Sequence, residues 1–168
     1  GASVGGMIAA ELAALRPEIV GKLVLLAPFG IADVEQLGFD LYAVRSPERL
    51  PHLFAKGVPE QFTNRFADRG PEEAPVAVYL TEIASASLLW PIGDRGTKHR
   101  LHRIRCPKLV LWGGQDELLP PGLAEAWGGG TVIDGAGHLL EWDVPDTVAA
   151  EISRFIASAP RTDSELSL

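Results

Sequence analysis

Three side chains in this sequence are of the types that can pass a proton from one to the next: Ser3 in GASVG, Asp116 closing LVLWGGQD, and His138 closing TVIDGAGH. A serine hydroxyl becomes an effective nucleophile when a base takes its proton. An imidazole does this best when a carboxylate orients it and stabilises the cation that forms. Gly1, Ser3 and Gly5 spell G-x-S-x-G, the pattern of a sharp strand-to-helix turn that exposes a serine. Alone the pattern is weak, because a chain with 18 glycines is expected to contain one by chance on the order of one time in ten. The chain order Ser, Asp, His, which accompanies turns of this kind, gives it weight. So does the apolar strand directly before both Asp116 and His138. Of the four histidines, only His138 sits on a Gly-Ala-Gly-His turn after such a strand. Asp116 has an acidic neighbour, Glu117, and Asp134 reads as a strand-end or turn residue.

Elements must hold these residues. GMIAAELAALR, Gly6 to Arg16, is rich in helix formers and apolar on nearly every side, and it stops at Pro17, so a buried helix is predicted there. KLVLLAPFG is a continuous apolar run closed by Pro28 and Gly30, as expected of a strand covered on both faces. CPKLVLWGGQD and GGGTVIDGAGH repeat the strand-then-glycine pattern, and each ends on a polar residue. Between the first and second strands, Asp33 to Trp90 changes character. Five prolines punctuate short amphipathic pieces, and the stretch reads as a helical insertion in which Tyr79, Trp90, Phe54 and Phe62 are expected in a core. VPDTVAAEISRFIA places Val144, Val148, Ala149, Ile152, Phe155 and Ile156 at helical spacing, with Asp143 as the expected N-cap and Pro145 just inside the start. RTDSELSL is a polar tail. Strands alternating with helices predict an α/β fold with an open, mostly parallel sheet, whose ligands bind beyond the carboxyl ends of the strands.

Composition narrows the partners. With 168 residues, 46% of them hydrophobic, the chain can build one packed core. A net charge of -7 argues against nucleic acid, whose binding rests on clustered Lys and Arg. The basic run Lys98 to Arg105 is too short to reverse this. The longest apolar run, around LVLLAPFGI, is about half of what crosses a bilayer, so no membrane partner is expected. A lone cysteine, Cys106, fits a reducing compartment such as the cytoplasm. His99, His102 and Cys106 could be drawn as a metal site, but Lys98, Arg100, Arg103, Arg105 and Lys108 would repel a cation, and a solvated basic face is expected instead. Neither a metal nor a cofactor is expected; the expected partner is a small-molecule substrate.

Together these motifs resemble the C-terminal half of an α/β-hydrolase. GASVGG is similar to its nucleophile elbow, LVLWGGQDELLPP to the strand and loop presenting the acid, and GAGHLLEWDVPDTVAAEISRFI to the histidine loop and closing helix. The resemblance implies a partial fold: residues 1–32 as the first part of the core, 33–100 as a helical cap, 101–160 as the second part of the core, and 161–168 as the tail. It implies Ser3 as nucleophile, His138 as base, Asp116 as its orienting acid and the Val4 N–H as an oxyanion donor. Asp33 is an alternative acid, since some relatives carry it after the preceding strand. The expected substrate is a small or medium apolar ester or related acyl compound, with carbon–carbon bond hydrolysis also within the family's range. The early loop, often His-Gly, that gives the second oxyanion donor is not in this sequence. A short lead before Ser3 is therefore expected to leave the turn loose and the chain weakly active, as a truncated fragment would be. A non-catalytic binding protein on the same fold is the alternative. GASVGGMIAAELAAL also resembles the glycine-rich turn of short-chain dehydrogenases. That fold asks for a carboxylate about 20 residues on at a strand end, and LVLLAPFG ends without one. It also asks for a Tyr with Lys four positions later, whereas Tyr42 and Tyr79 are followed there by Ser46 and Ile83.

Overall fold

The computed structural model describes residues 1–158, so the polar tail lies outside the described residues. The first helix, α1, spans Ser3–Leu15 and begins three residues before the predicted Gly6. The cause is a turn at Ser3, whose φ of 48° swings the chain out of the sheet and into the helix. Residues 1 and 2 lie alongside the next strand: Gly1 N donates to Val24 O (2.8 Å), Leu26 N donates to Gly1 O (3.0 Å), and Ala2 forms a parallel bridge with Leu26. Residues 1 and 2 thus pair like a strand up to the Ser3 turn. Contrary to the prediction, α1 is buried on one side only. Gly6, Ala10, Ala13 and Ala14 face the sheet, where small side chains let the helix approach closely, while Ile8, Leu12 and Leu15 are exposed.

Strand β1, Leu23–Leu26, alternates between buried Leu23 and Leu25 and half-buried Val24 and Leu26, so it is covered fully on one face and partly on the other. The stretch between it and the next strand holds only helices and turns among the described residues, as its proline punctuation predicts. The longest of them is α2, Glu73–Leu89, of which only Ala77 and Leu89 are buried. Phe54 is buried and meets Phe62 edge-on at 5.0 Å, but Tyr79 and Trp90 are exposed rather than in the expected core. The basic run becomes a 3-10 helix, Thr97–Arg103, packed against α1. There Glu11 accepts two hydrogen bonds from Arg100, at 2.6 and 2.8 Å.

Strands β2 (Lys108–Gly113) and β3 (Thr131–Ile133) complete a parallel sheet in the order β1-β2-β3. Leu23 pairs with Lys108 and Leu26 with Leu111, then Leu111 with Thr131 and Gly113 with Ile133. Leu25, Leu111 and Trp112 lose essentially all solvent contact, and burial of such side chains is worth about 1.5–3 kcal/mol each. Because all three strands run the same way, their carboxyl ends open into loops on one rim of the sheet.

The closing helix, α3, runs Pro145–Ala157, with Pro145 at its start as expected. Val148 is buried and Val144, Ile152 and Phe155 are half-buried, whereas Ala149 and Ile156 are exposed, so the inward face is narrower than the spacing suggested. Asp143 is not its N-cap. That position falls to Val144, with no side-chain cap, and the Asp143 carboxylate turns the other way, toward the loop before it. At the far end of α3, Lys22 Nζ donates to Phe155 O and Ile156 O, both at 2.8 Å, and to Ser158 O at 2.6 Å.

Candidate active site

Each of the three rim loops is shaped by glycines at close approaches. At the Ser3 turn, a Cβ on Gly1 would lie 2.3 Å from Gly5 O, and one on Gly6 would lie 3.0 Å from Pro28 Cβ. Gly5, the glycine that completes the sequence pattern, has open space around it. Strand end and helix start are therefore pressed together by Gly1 and Gly6. After β2 the chain turns through Gly113 to Asp116, whose N–H donates to Gly113 O (3.2 Å). The loop after β3 lies directly on this turn. Gln115 N donates to Ala136 O at 2.9 Å, and a Cβ on Gly113 would lie 2.0 Å from Gly137 O.

This packing brings Ser3, Asp116 and His138 together across 135 residues of chain. The His138 ring sits between the other two, with Nδ1 2.9 Å from Asp116 Oδ2 and Nε2 3.0 Å from Ser3 Oγ. Asp116 and His138 are each 4% exposed. The other oxygen of Asp116, Oδ1, accepts from Leu118 N (3.0 Å) and Leu119 N (2.8 Å), which fixes the carboxylate in the plane it presents to the imidazole. A carboxylate partner at Nδ1 favours the imidazole tautomer protonated there, in which Nε2 can accept from the Ser3 hydroxyl. The Val4 N–H lies in the first turn of α1, where amides have no acceptor within the helix and can donate to an anion instead.

The alternative acids are engaged elsewhere. Asp33 accepts from Glu35 N (3.0 Å) and Gln36 Nε2 (3.3 Å) within its own turn. Glu117 turns away to His52 Nδ1 at 2.5 Å, and Asp134, in the turn after β3, accepts from Gln115 Nε2 of the neighbouring loop at 2.6 Å. Among the described residues, no three His, Cys, Asp or Glu side chains come together in a group that could hold a metal ion. Burial pushes the Cys106 thiol up, which leaves it less prone to ionise.

Two features of the site go beyond the sequence reading, which expected a pocket from the cap without placing it. Asp143, read there as a helix cap, accepts from Gly137 N and Ala55 N, both at 2.8 Å on the same oxygen. An apolar cavity of about 760 Å³ lies beside the rim, lined by Phe29, Ile31, Phe39, Trp90, Leu118 and Leu119. Phe29 N donates to Ser3 O (3.1 Å), and the amides of Leu118 and Leu119 bond Asp116, so the cavity wall and the polar chain share backbone. Neither feature leaves a spacing signal, because both join residues far apart in sequence.

Comparison with known proteins agrees with this architecture. The chain is 28% identical to 2-hydroxy-6-oxo-6-phenylhexa-2,4-dienoate hydrolase of Comamonas testosteroni, over 87% of this chain and 57% of that protein. It is 23% identical to the monoacylglycerol lipase abhd6-B of Xenopus laevis, over 98% of this chain and 56% of that protein. It therefore spans little more than half the length of these curated relatives. The crystal structure of a membrane phospholipase A described as a bacterial virulence factor superposes with a TM-score of 0.72 at 24% identity, over 93% of this chain and 55% of that one, which shows a shared fold. Residues 1–151 match the alpha/beta hydrolase family from the Ser3 turn into α3, and the chain belongs to that family.

Proposed function

We propose that this chain carries the catalytic machinery of a serine hydrolase acting on a small or medium apolar ester or related acyl compound. One observation carries the reading: the unbroken hydrogen-bonded line Asp116–His138–Ser3, with steps of 2.9 and 3.0 Å. In this scheme Ser3 Oγ attacks the acyl carbon while His138 Nε2 takes the hydroxyl proton. Asp116 holds the imidazole and stabilises its cation, and the Val4 N–H donates to the developing oxyanion. His138 then delivers the proton to the leaving group as the carbon–heteroatom bond breaks. A water, deprotonated by the same nitrogen, releases the acyl group from Ser3. The helices of residues 33–100 act as a cap that supplies an apolar pocket. A serine at the elbow, in place of an aspartate, disfavours epoxide and carbon–halogen cleavage.

The Comamonas relative favours a second reading, cleavage of a carbon–carbon bond in a dienoic diketone by the same three residues. Labelling with a fluorophosphonate probe tests the machinery common to both. Labelling falls on Ser3, slowly, as expected of a chain whose oxyanion donor is the Val4 N–H without the second one, and is lost in Ser3→Ala; labelling of the wild-type chain no faster than of Ser3→Ala would leave a binding protein as the better account. Turnover of nitrophenyl esters of graded chain length against a phenyl-substituted dienoate then separates the two substrates.

A further inference from the structure

We infer that Asp143 is a positioning residue for His138, and that through it the seat of the 53–55 segment and the aim of the imidazole are set together. The inference rests on the proposed role of His138 as the base. Both residues flanking His138 are fastened through their amides. On one side, Gly137 N donates to Asp143 Oδ2 at 2.8 Å; on the other, Leu139 N donates to Leu53 O at 3.0 Å. The same Asp143 oxygen also accepts from Ala55 N at 2.8 Å. One carboxylate oxygen therefore joins the histidine loop to a segment 88 residues away, within the helical stretch between β1 and β2.

The fit allows little slack. A Cβ on Gly137 would lie 2.8 Å from Ala55 N and 2.9 Å from Leu53 O, and on its other side Gly137 O presses on Gly113. Trp142, beside Asp143, meets Phe62 edge-on at 5.2 Å, and Phe62 in turn meets Phe54, so an aromatic stack backs the same junction. Without the shared acceptor, Gly137 N and Ala55 N lose their partner, the two backbones separate, and the ring of His138 moves with the loop. Displacement of a reacting group by about 1 Å can cost about 10²-fold in rate. Asp143 itself touches neither Ser3 nor Asp116, so the loss is carried by the displaced ring.

The test compares the wild-type chain with Asp143→Ala and Asp143→Asn. Two readouts are followed: the second-order rate of fluorophosphonate labelling across pH, and the tautomer of His138 from imidazole ¹⁵N shifts, which needs no turnover. Asp143→Ala is expected to slow labelling by about 10- to 100-fold and to convert a single Nδ1–H tautomer into a mixture. Asp143→Asn, whose amide oxygen is a weaker acceptor of the same reach, is expected to fall between. A folded Asp143→Ala chain with wild-type rate, pH profile and tautomer would overturn the inference. Should the alanine variant not fold, Asp143→Asn decides alone: identity with wild type in both readouts overturns the inference, and slower labelling with a mixed tautomer upholds it. If the wild-type chain does not label at Ser3, the proposed function fails, while the tautomer comparison still decides the role of Asp143.

Discussion

At the scale of single residues, two carboxylates shielded from solvent behave in opposite ways. Asp116 is nearly sealed from solvent, but its two oxygens accept three hydrogen bonds. Replacing it by Asn keeps the shape but permits the wrong imidazole tautomer. Asp116→Asn should therefore lower kcat by about 10³- to 10⁴-fold and leave the fold intact, as turnover and circular dichroism would show. Glu141 is the opposite case. Its Oε2 is buried with no hydrogen-bond partner, and burial pushes its carboxyl up, against a smaller downward pull from its own backbone and the His138 imidazole. A group whose folded pKa is raised favours the folded state fully below the unfolded value, and this benefit is lost as pH rises through the folded value. Glu141→Gln is uncharged throughout, so it should raise the urea midpoint relative to wild type at pH 8 and have little effect at pH 3. The residues Ser3, Asp116 and His138 were legible because each closes a recognisable strand or opens a helix. Asp143 was not. Its partners, Gly137 N and Ala55 N, are backbone amides brought to it by tertiary packing, and its position before Pro145 gave a local reading, the helix cap, that the tertiary bonds override.

At the scale of elements, the strands were legible because continuous apolar runs of this length have few other uses, and their parallel order follows from the helices between them. The start of α1 was obscured because Gly1 to Gly5 read as a turn, whereas the helix begins at the positive φ of Ser3. Its one-sided burial was hidden as well, since a helix apolar on nearly every side carries no periodic signal for which face turns inward. The pair Glu11–Arg100 fastens α1 to the 97–103 helix. The Arg100 hydrogen bonds hold the Glu11 carboxyl below its ordinary range. A depressed folded pKa adds stability above the unfolded value, and this is lost as pH falls through the folded one. Glu11→Gln should thus lower the melting temperature at pH 7, and the difference should shrink toward zero as the buffer is taken below the carboxylate range. The melting curves of the two chains, compared at several pH values, check this.

At the scale of the whole molecule, the sheet presents its three rim loops together, and the stretch between β1 and β2 crosses back over them at Leu53 and Ala55. No local pattern could have announced that crossing, since the contacts join segments whose separations follow no period. A similar long-range fastening closes the opposite side, where Lys22, at the entrance to β1, gathers three carbonyls at the end of α3. Its ammonium faces the negative pole of that helix, where a cation is favourable. Acetylation of Lys22 would strip away both the charge and two of its three protons. The last turn of α3 should then fray, with faster deuterium uptake at residues 154–157 and an unchanged rate of probe attachment to Ser3.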